Sequence, residues 1–582
     1  MKRLLVFGVA LAAIPPLTSN IWIQNLAIMT FLLAILASGW NVIGGYAGYV
    51  SLGHSAFIGV GAYTAGILAG KLEVSPFLVA PLGGVAAALV ALLLSLATRR
   101  TRGAAFVIVT FAMLELLAVL VANGGSLTGG TNGLLMPLPT WDVAYQNWPF
   151  YYALLALLVL SVAMSAWIVR SKLGLGLVAI RDDEDKAAGI GVVTPVYKGV
   201  AFMASAVLVG VAGAVYGYYV SFLDAGALFD IALAMEVVLA ALLGGRGTVW
   251  GPVLGAFLLQ PVIELTNSEL GGEHAGAIRL LLFGGLLLLV ALLLPRGILP
   301  QLARLRRQPA VSPTGARLAA ASVPEWLGAR PGAELRVSGL TKRFGGVVAL
   351  DEASFTVPAG SITALIGPNG SGKTTAFNVI DGSYAADGHV SLDGVDVSGW
   401  SRTRRAFAGL GRTYQLPRLF GSLTVLENVA AVCGSFEPRS LGRSAVSGEV
   451  AARAAELLEF VGLGEYAGAR ATELSYGQRK LVELAQVLML DPAVILLDEP
   501  AAGINPTLVE RLASLVRELN ASGKTFLIVE HDMQFVLSLC EPVIVLSRGA
   551  VIAAGRPEDV SADPAVLEAY LGEDFVPAAV AR

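Results

Sequence analysis

Charged residues and cysteines are scarce in this chain. Acids and bases make up 14% of the 582 residues, well below the share of about 25% that is typical of soluble proteins. The two cysteines, Cys433 and Cys540, exclude a disulfide framework and lack metal-ligand spacing, which favours a reduced compartment. A net charge of −3 without a basic stripe argues against nucleic acid as a partner. Apolar residues, in contrast, form 55% of the chain and favour a membrane protein.

Charge is also distributed unevenly along the chain. Between residues 4 and 295 it is confined to short islands, whereas from residue 296 onward it reaches the density of a soluble domain. A membrane-spanning helix needs about 20 apolar residues. Stretches of this kind predict eight to ten spans, near residues 4–19, 25–43, 52–70, 77–98, 104–122, 148–169, 197–220, 231–244, 250–265 and 277–295. The count stays open because the short stretches 231–244 and 250–265 also fit half-helices or a re-entrant pair.

The basic residues between the spans give the orientation in the membrane. One set of loops holds Lys2, Arg3, Arg99, Arg100, Arg102, Arg170, Lys172, Arg181, Lys186, Lys198 and Arg246. The opposite set holds essentially only Lys71, so the first set is predicted to be cytoplasmic. The same alternation places 123–148 outside and the second half of the chain in the cytoplasm. A secretory signal at 1–17 is the alternative for the first span, but it lacks a clear cleavage site.

The composition predicts four segments. Residues 1–298 form an all-α polytopic membrane domain. Residues 299–333, rich in Pro, Ala and Arg, read as a linker. Residues 334–575 contain β-rich runs at 335–337, 361–366, 494–497, 525–529 and 543–546 between helical stretches, which predicts an α/β domain around a largely parallel sheet. Residues 576–582 are a C-terminal tail.

A glycine-rich loop follows the predicted strand 362–366 and precedes a helix. The loop reads Gly367, Pro368, Asn369, Gly370, Ser371, Gly372, Lys373, Thr374 and Thr375. In this pattern backbone N–H groups and the helix N-terminus surround phosphate oxygens. Lys373 is then expected to reach the β- and γ-phosphates, and Thr374 to hold Mg²⁺. The loop predicts an ATP site.

Two acids end the apolar run 494–497. Asp498 suits the shell of Mg²⁺, and Glu499 suits the polarisation of an attacking water. Such a pair can also cap a turn, but the phosphate loop upstream in the same domain favours catalysis.

The pentapeptide Leu474, Ser475, Tyr476, Gly477 and Gln478 resembles the signature of ATP-binding cassette (ABC) ATPases. An ordinary helix N-cap at Ser475 is the structural alternative. The resemblance implies that Ser475 and Gly477 contact the γ-phosphate at a partner subunit's ATP site. It also implies adenine stacking by Phe344, Mg²⁺ sensing by Gln415 and a switch role for His531. Asn505 stands where many cassettes carry Asp.

The membrane half resembles the permeases of branched-chain amino acid importers over nearly all of residues 25–295. The segments that carry this resemblance are 40–54, 128–133 and 243–252, and the cassette segments 414–420 and 500–506 resemble the ATPases of the same systems. Exporters have long helices and six spans, whereas the cytoplasmic connections here are short. The longest connection resembles an importer coupling loop, whose expected docking residues are Arg181, Asp182, Asp183, Glu184 and Gly189.

The resemblance implies an importer of hydrophobic amino acids in a bacterial cytoplasmic (inner) membrane, with ATP and Mg²⁺ as cofactors. Its expected partners are a second permease and a second cassette, either different chains or a second copy, and an extracytoplasmic solute-binding protein. A urea or short-amide importer, an ABC exporter and a regulatory protein without ATP turnover remain as alternatives. Glu236 and His54 lie within predicted spans, where they either contact solute or serve helix packing.

Overall fold

A computed structural model describes residues 2–18, 20–99, 101–269, 275–305, 322–432 and 437–571. The chain divides into two compact units. One comprises Met1–Arg181 and Pro195–Ala310, and the other comprises Asp182–Thr194 and Val311–Arg582. Four of the five expected docking residues, all except Arg181, therefore belong to the second unit. Cys433, Arg100, the middle of the predicted linker and the predicted tail lie outside the described residues.

The first unit is helical, as predicted. Its helices are Lys2–Ala12, Ile14–Leu17, Ile21–Asn41, Ala56–Leu72, Pro76–Ala97, Ala104–Ala122, Trp148–Arg170, Lys172–Asp182, Thr194–Val220, Ala225–Leu228, Ile231–Gly244, Gly251–Glu269, Ala275–Leu293 and Ile298–Leu305. Among the described residues, seven helical stretches are long and apolar enough to cross a membrane. Three shorter apolar helices, Val6–Leu17, Ala56–Leu72 and Gly251–Thr266, occupy the remaining predicted spans.

Short elements on the predicted outer side complete this unit. They are the 3₁₀ turns Gly125–Leu127, Gly130–Asn132 and Val143–Tyr145, and the paired strands Leu134–Leu135 and Phe222–Leu223. The helices Ile231–Gly244 and Gly251–Glu269, which the sequence left open as half-helices, pack closely on each other. A Cβ atom at Gly255 would lie 1.8 Å from the carbonyl oxygen of Ala240, so only glycine permits this approach.

The helix Ile21–Asn41 ends in a π-helical turn, Val42–Tyr46, which is followed by non-helical backbone up to Ala56. The span predicted at 52–70 therefore starts four residues late. Backbone without helical hydrogen bonds is tolerated at membrane depth only where other groups satisfy it. Here the indole of Trp40 donates to the carbonyl of Ser51 at 2.8 Å, and the Thr110 hydroxyl accepts from the Leu52 N–H at 3.2 Å.

The second unit contains a six-stranded sheet. In spatial order its strands are Ala550–Gly555, Val543–Ser547, Ile362–Ile366, Thr525–Val529, Val494–Asp498 and Leu410–Arg412. All neighbours are parallel except the edge strand Ala550–Gly555, so the predicted largely parallel sheet is confirmed. Alternate residues of its central strand face two hydrophobic cores, with Ala364 in one and Leu365 in the other.

A second sheet is antiparallel, and the sequence predicted only the start of its first strand. Its strands, in spatial order, are Val347–Val357, Leu335–Phe344, Asp387–Leu392 and Val395–Asp396. The helices of this unit are Glu184–Gly189, Lys373–Ile380, Arg402–Phe407, Val425–Ala430, Gly448–Phe460, Tyr476–Leu488, Pro506–Ala521, Met533–Leu539, Pro557–Ala562 and Pro564–Leu571. Together with the sheets they place the phosphate loop and the acidic pair at the ends of two parallel strands, Ile362–Ile366 and Val494–Asp498, which flank the strand Thr525–Val529.

The described parts of the predicted linker are a helix and a segment that packs on the cassette. Ile298–Leu305 is a helix, and residues 322–333, called the strap below, pack on the cassette. The Leu327 side chain is fully buried in the cassette core, and the Trp326 indole donates to Glu456 at 2.8 Å. The buried Lys524 ammonium donates to the carbonyl of Arg330 at 2.7 Å. Composition alone hid these contacts, because one leucine and one tryptophan among Pro, Ala and Arg form no periodic pattern.

Candidate ATP site

The phosphate loop follows directly from the strand Ile362–Ile366 and ends at the helix Lys373–Ile380. Glycine is required at two of its positions. A Cβ atom at Gly367 would lie 2.1 Å from the carbonyl oxygen of Leu546, and one at Gly372 would lie 2.4 Å from that of Ala349. Gly372 also has a φ of +105°, which L-residues with side chains rarely adopt. The predicted strand, loop and helix are therefore present.

The Lys373 ammonium lies over its own loop. It donates to the carbonyl oxygens of Gly367 and Pro368, each at 2.8 Å. Burial lowers the pKa of Lys373, whereas the carboxylates of Glu499 and Asp498 oppose this shift. The position predicted to meet phosphate thus holds a cation close to two acids.

Asp498 is the last residue of the strand Val494–Asp498, and its side chain is buried. Burial raises the pKa of Asp498, while its ion pair with Arg412, at 3.1 Å, lowers it. Arg412 also contacts Asp381 at 2.6 Å and the amide of Asn378 at 2.8 Å. Sequence reasoning did not single out Arg412, which joins the acid predicted for Mg²⁺ to the helix after the phosphate loop.

Glu499, Gln415 and His531 come together although they are far apart in sequence. The Gln415 amide donates to Glu499 Oε2 at 2.8 Å, and His531 Nδ1 lies 3.9 Å from the same oxygen. Glu499 has a φ of +45°, and its N–H donates to the carbonyl of Val529 at 2.9 Å. The residues predicted for sensing and switching, Gln415 and His531, therefore both lie next to the carboxylate of the predicted base, Glu499.

Lys480 was missed by sequence reasoning. It lies on the helix Tyr476–Leu488, where a basic residue reads as part of a solvated face, yet its side chain is buried. Its ammonium donates to the carbonyls of Glu499 at 2.6 Å, Ala502 at 3.0 Å and Pro500 at 3.2 Å. The helix that begins within the signature is thereby tied to the loop that carries Glu499.

The signature pentapeptide forms the start of that helix, with Leu474 buried just before it. Ser475 is the N-cap of the helix and forms a capping box with Gln478. Its local geometry is therefore that of the ordinary N-cap, which the sequence left open as the alternative. The Tyr476 hydroxyl donates to the carbonyl of Gln415 at 3.1 Å. A Cβ atom at Gly477 would lie 2.4 Å from the Leu508 side chain. Within the described part of the chain, no hydrogen bond joins the signature to the phosphate loop.

Phe344 ends the strand Leu335–Phe344 and remains 44% exposed. Its ring makes an edge contact with that of Tyr384, with centroids 5.4 Å apart, and the Lys342 ammonium lies 5.2 Å from it. An accessible ring is what base stacking requires.

The segment Asp182–Thr194 contacts the cassette. The Asp182 carboxylate accepts from the N–H of Ser422 at 2.9 Å, and Asp183 pairs with Arg418 at 3.3 Å. A Cβ atom at Gly189 would lie 3.2 Å from Arg402, and Glu184 begins the helix Glu184–Gly189. Arg181, predicted to dock as well, belongs to the first unit, where it donates to the carbonyl of Gly45 at 2.9 Å.

Two further residues of this segment's environment were not singled out from the sequence. Lys186 is buried, and its ammonium lies 2.7 Å from a carboxylate oxygen of Glu483, which is also buried.

In the first unit, the intramembrane residues His54 and Glu236 are both buried.

Family models match both halves of the chain. The model described as the permease component of the branched-chain amino acid transport system matches residues 22–291. A model described as ABC transporter matches 350–502, and one described as branched-chain amino acid ATP-binding cassette transporter matches 550–576.

Individual relatives match the cassette half. The high-affinity branched-chain amino acid transport ATP-binding protein BraF of Pseudomonas aeruginosa is 39% identical over 251 residues, which are 41% of this chain and 98% of the relative. The corresponding protein LivG of Escherichia coli is 37% identical over the same shares. A solved structure of a nucleotide-free ATP-binding cassette from an ABC transporter is 38% identical, with a TM-score of 0.38, and covers 41% of this chain and 100% of that one.

Proposed function

Because this chain belongs to the branched-chain amino acid ABC transporters and carries their permease and their ATP-binding cassette in one polypeptide, we propose that it imports branched-chain or other hydrophobic amino acids. The observation that carries this proposal is that the two halves match components of the same transport system. The proposed cellular location is the cytoplasmic membrane of a bacterium, with the cassette in the cytoplasm.

The cassette binds nucleotide, and we assign the phosphates to the loop from Gly367 to Thr375. Lys373 would exchange its two carbonyl contacts for phosphate oxygens, and Phe344 would stack on adenine. The residues proposed to hold Mg²⁺ are Thr374, Asp498 and Gln415, which offer the oxygen ligands that this ion prefers. When bound, the ion would neutralise charge on the phosphates.

Glu499 is the proposed general base for the attacking water, and His531 the proposed switch residue. The close approach of Gln415 and His531 to the Glu499 carboxylate supports these roles, because a catalytic base must be held within hydrogen-bond reach of the proton that it abstracts. The signature, whose helix N-terminus is preorganised by Ser475, would complete the ATP site of a second cassette. The transporter therefore needs a second cassette and a second permease, from a different chain or from another copy.

The segment Asp182–Thr194 is short, whereas exporters of this superfamily have long helices that project into the cytoplasm. Its length therefore supports import rather than export. Its contacts with Arg418 and Ser422 lie in the stretch that begins at Gln415. Movement of this segment would thereby be linked to the catalytic carboxylate. An extracytoplasmic binding protein is the proposed donor of solute to the outer face, around Thr128 to Gly133.

The test is transport by the complete assembly in liposomes. The binding protein is added outside, and ATP is enclosed in the lumen, which the cassettes face. Uptake of leucine that depends on the binding protein and stops in the E499Q variant is expected. Uptake of urea instead of leucine would favour the amide importers. Outward transport without a binding protein, or nucleotide binding without turnover, would overturn the proposed function.

A further inference from the structure

Lys186 is a cation enclosed by the cassette. It lies on the helix Glu184–Gly189 and is only 2% exposed, while its partner Glu483 is 1% exposed. The rings of Tyr414 and Phe420 each lie 6.0 Å from the ammonium. The pair is therefore formed away from water, with aromatic rings beside it.

The Glu483 carboxylate connects three parts of the cassette machinery. Glu483 lies on the helix Tyr476–Leu488, eight residues after Ser475. Its Oε2 accepts from the N–H of Tyr414 at 3.3 Å, and its Oε1 accepts from the N–H of Arg418 at 3.2 Å. These two N–H groups flank Gln415 in sequence. One buried carboxylate thus joins the signature helix, the Gln415 stretch and Lys186.

A second ion pair of the segment Asp182–Thr194, between Asp183 and Arg418, is exposed to solvent. Arg418 is 49% exposed and Asp183 is 26% exposed, and ion pairs in such positions contribute little because water and salt screen them. A buried pair behaves differently, since loss of one partner leaves an uncompensated charge in a low-dielectric site and is strongly destabilising. Burial lowers the pKa of Lys186, and the Glu483 carboxylate opposes that shift. Of these two ion pairs between the segment and the rest of the cassette, the Lys186–Glu483 pair is therefore the one more sensitive to loss of a partner.

We propose that the docking groove of this cassette, which Glu483, Tyr414 and Phe420 form around Lys186, is charge-selective. It accepts a permease segment that presents a basic side chain at the position of Lys186, and the segment of its own chain does so. Lys186 is a positioning residue that neutralises Glu483 when the segment is docked. Undocking leaves Glu483 unpaired between the signature helix and the Gln415 stretch, so segment position and ATP-site geometry change together. This inference rests on the proposed transport function.

The experiment measures docking directly in the complete transporter. Cysteines at Asp182 and Ser422, whose side chains are in contact, report docking through the rate of disulfide formation, in a background with Cys433 and Cys540 replaced by alanine. Three substitutions are compared: K186M, K186R and the double variant K186M/E483Q. K172M serves as the matched control, because Lys172 is a basic residue in the same cytoplasmic connection and lies outside the groove.

The expected result is a cross-linking rate that falls at least about tenfold in K186M and stays within about twofold of the parent in K186R and K172M. The double variant is expected to recover most of the loss, because it removes the unpaired charge. A K186M rate equal to that of the parent, or no recovery in the double variant, would overturn the proposal.

Folding of the variants and transport of leucine are measured separately from docking. Nucleotide binding by each variant checks that the cassette is folded. If K186M does not assemble, K186Q, which loses the charge but keeps an N–H donor, carries the same comparison. Leucine uptake by the parent transporter tests the proposed function separately, since cross-linking requires no cargo. K186M is also expected to transport fewer leucine molecules per ATP hydrolysed than the parent.

Discussion

Gln415 Nε2 donates to Glu499 Oε2 over 2.8 Å, so the proposed sensor and the proposed base are in direct contact. Glu499 is held from three sides: Gln415 binds its side chain, its N–H donates to Val529, and its carbonyl accepts from Lys480. These contacts fix both the backbone and the carboxylate of Glu499. The Gln415 stretch also touches the segment Asp182–Thr194 through Arg418, so it connects that segment to the carboxylate of the proposed base.

Substitution of Glu499 by Gln is the most direct check of the proposed base. E499Q keeps the size of the side chain and its contact with Gln415 but removes the basic carboxylate, so ATP hydrolysis is expected to fall at least about 100-fold while ATP binding persists. Phosphate release and nucleotide titration measure the two quantities. E510Q, at an exposed position on the helix Pro506–Ala521, is the control and is expected to retain the parent rate. Hydrolysis by E499Q at the parent rate would exclude this role.

Lys480 is expected to support catalysis without contacting nucleotide. In K480M three carbonyls in the loop 499–502 lose their common donor, so the cassette should lose about 1–3 kcal/mol of stability. The maximal hydrolysis rate should fall more than the affinity for ATP, because the loop carries the base rather than the phosphate contacts. Thermal unfolding and steady-state hydrolysis check both effects. R556M, at a largely exposed arginine, is the control; if its values match those of K480M, the carbonyl contacts have no specific role.

The strap is expected to stabilise the cassette. Leu327 is fully buried in the cassette core, and L327A should lower the free energy of unfolding by about 2–5 kcal/mol. Hydrogen exchange of cassette peptides in the complete chain, followed with thermal unfolding, measures the loss. V347A, which shortens an exposed side chain, should change stability little. Equal stability of L327A and the parent would mean that the strap does not contribute to the cassette fold.

The sequence predicted the parts of the site that depend on local pattern. The phosphate loop, the acids after the strand Val494–Asp498 and the signature each require a fixed run of residues, and such runs are legible without a fold. Lys186 and Glu483 are 297 residues apart, and each looks like an ordinary charged residue on a polar helix face. Only the fold brings them together. The same applies to Leu327, whose burial depends on a surface built by later residues, and to the π-helical turn Val42–Tyr46 in an apparently continuous apolar run.

Gly53 is expected to be essential for the permease, because its backbone lies against the helix Ala104–Ala122. A Cβ atom at Gly53 would lie 2.2 Å from the carbonyl oxygen of Thr110, so G53A must displace the non-helical stretch before Ala56 or the helix itself. Transport should fall at least about tenfold if this displacement costs 1.4 kcal/mol or more of the active state. Nucleotide binding should persist, since the cassette is a separate unit.

Gly70 provides the matched control for that experiment. It lies on the helix Ala56–Leu72, and a Cβ atom there would have no neighbour within 4 Å. G70A should therefore be neutral or gain up to about 1 kcal/mol from the better helix propensity of alanine. Uptake of leucine and thermal unfolding of both variants decide the matter. If G53A transports as well as G70A, the close approach to Thr110 is not a requirement for transport. If both lose transport, a general intolerance of larger residues in this part of the chain explains the effect better than the specific contact.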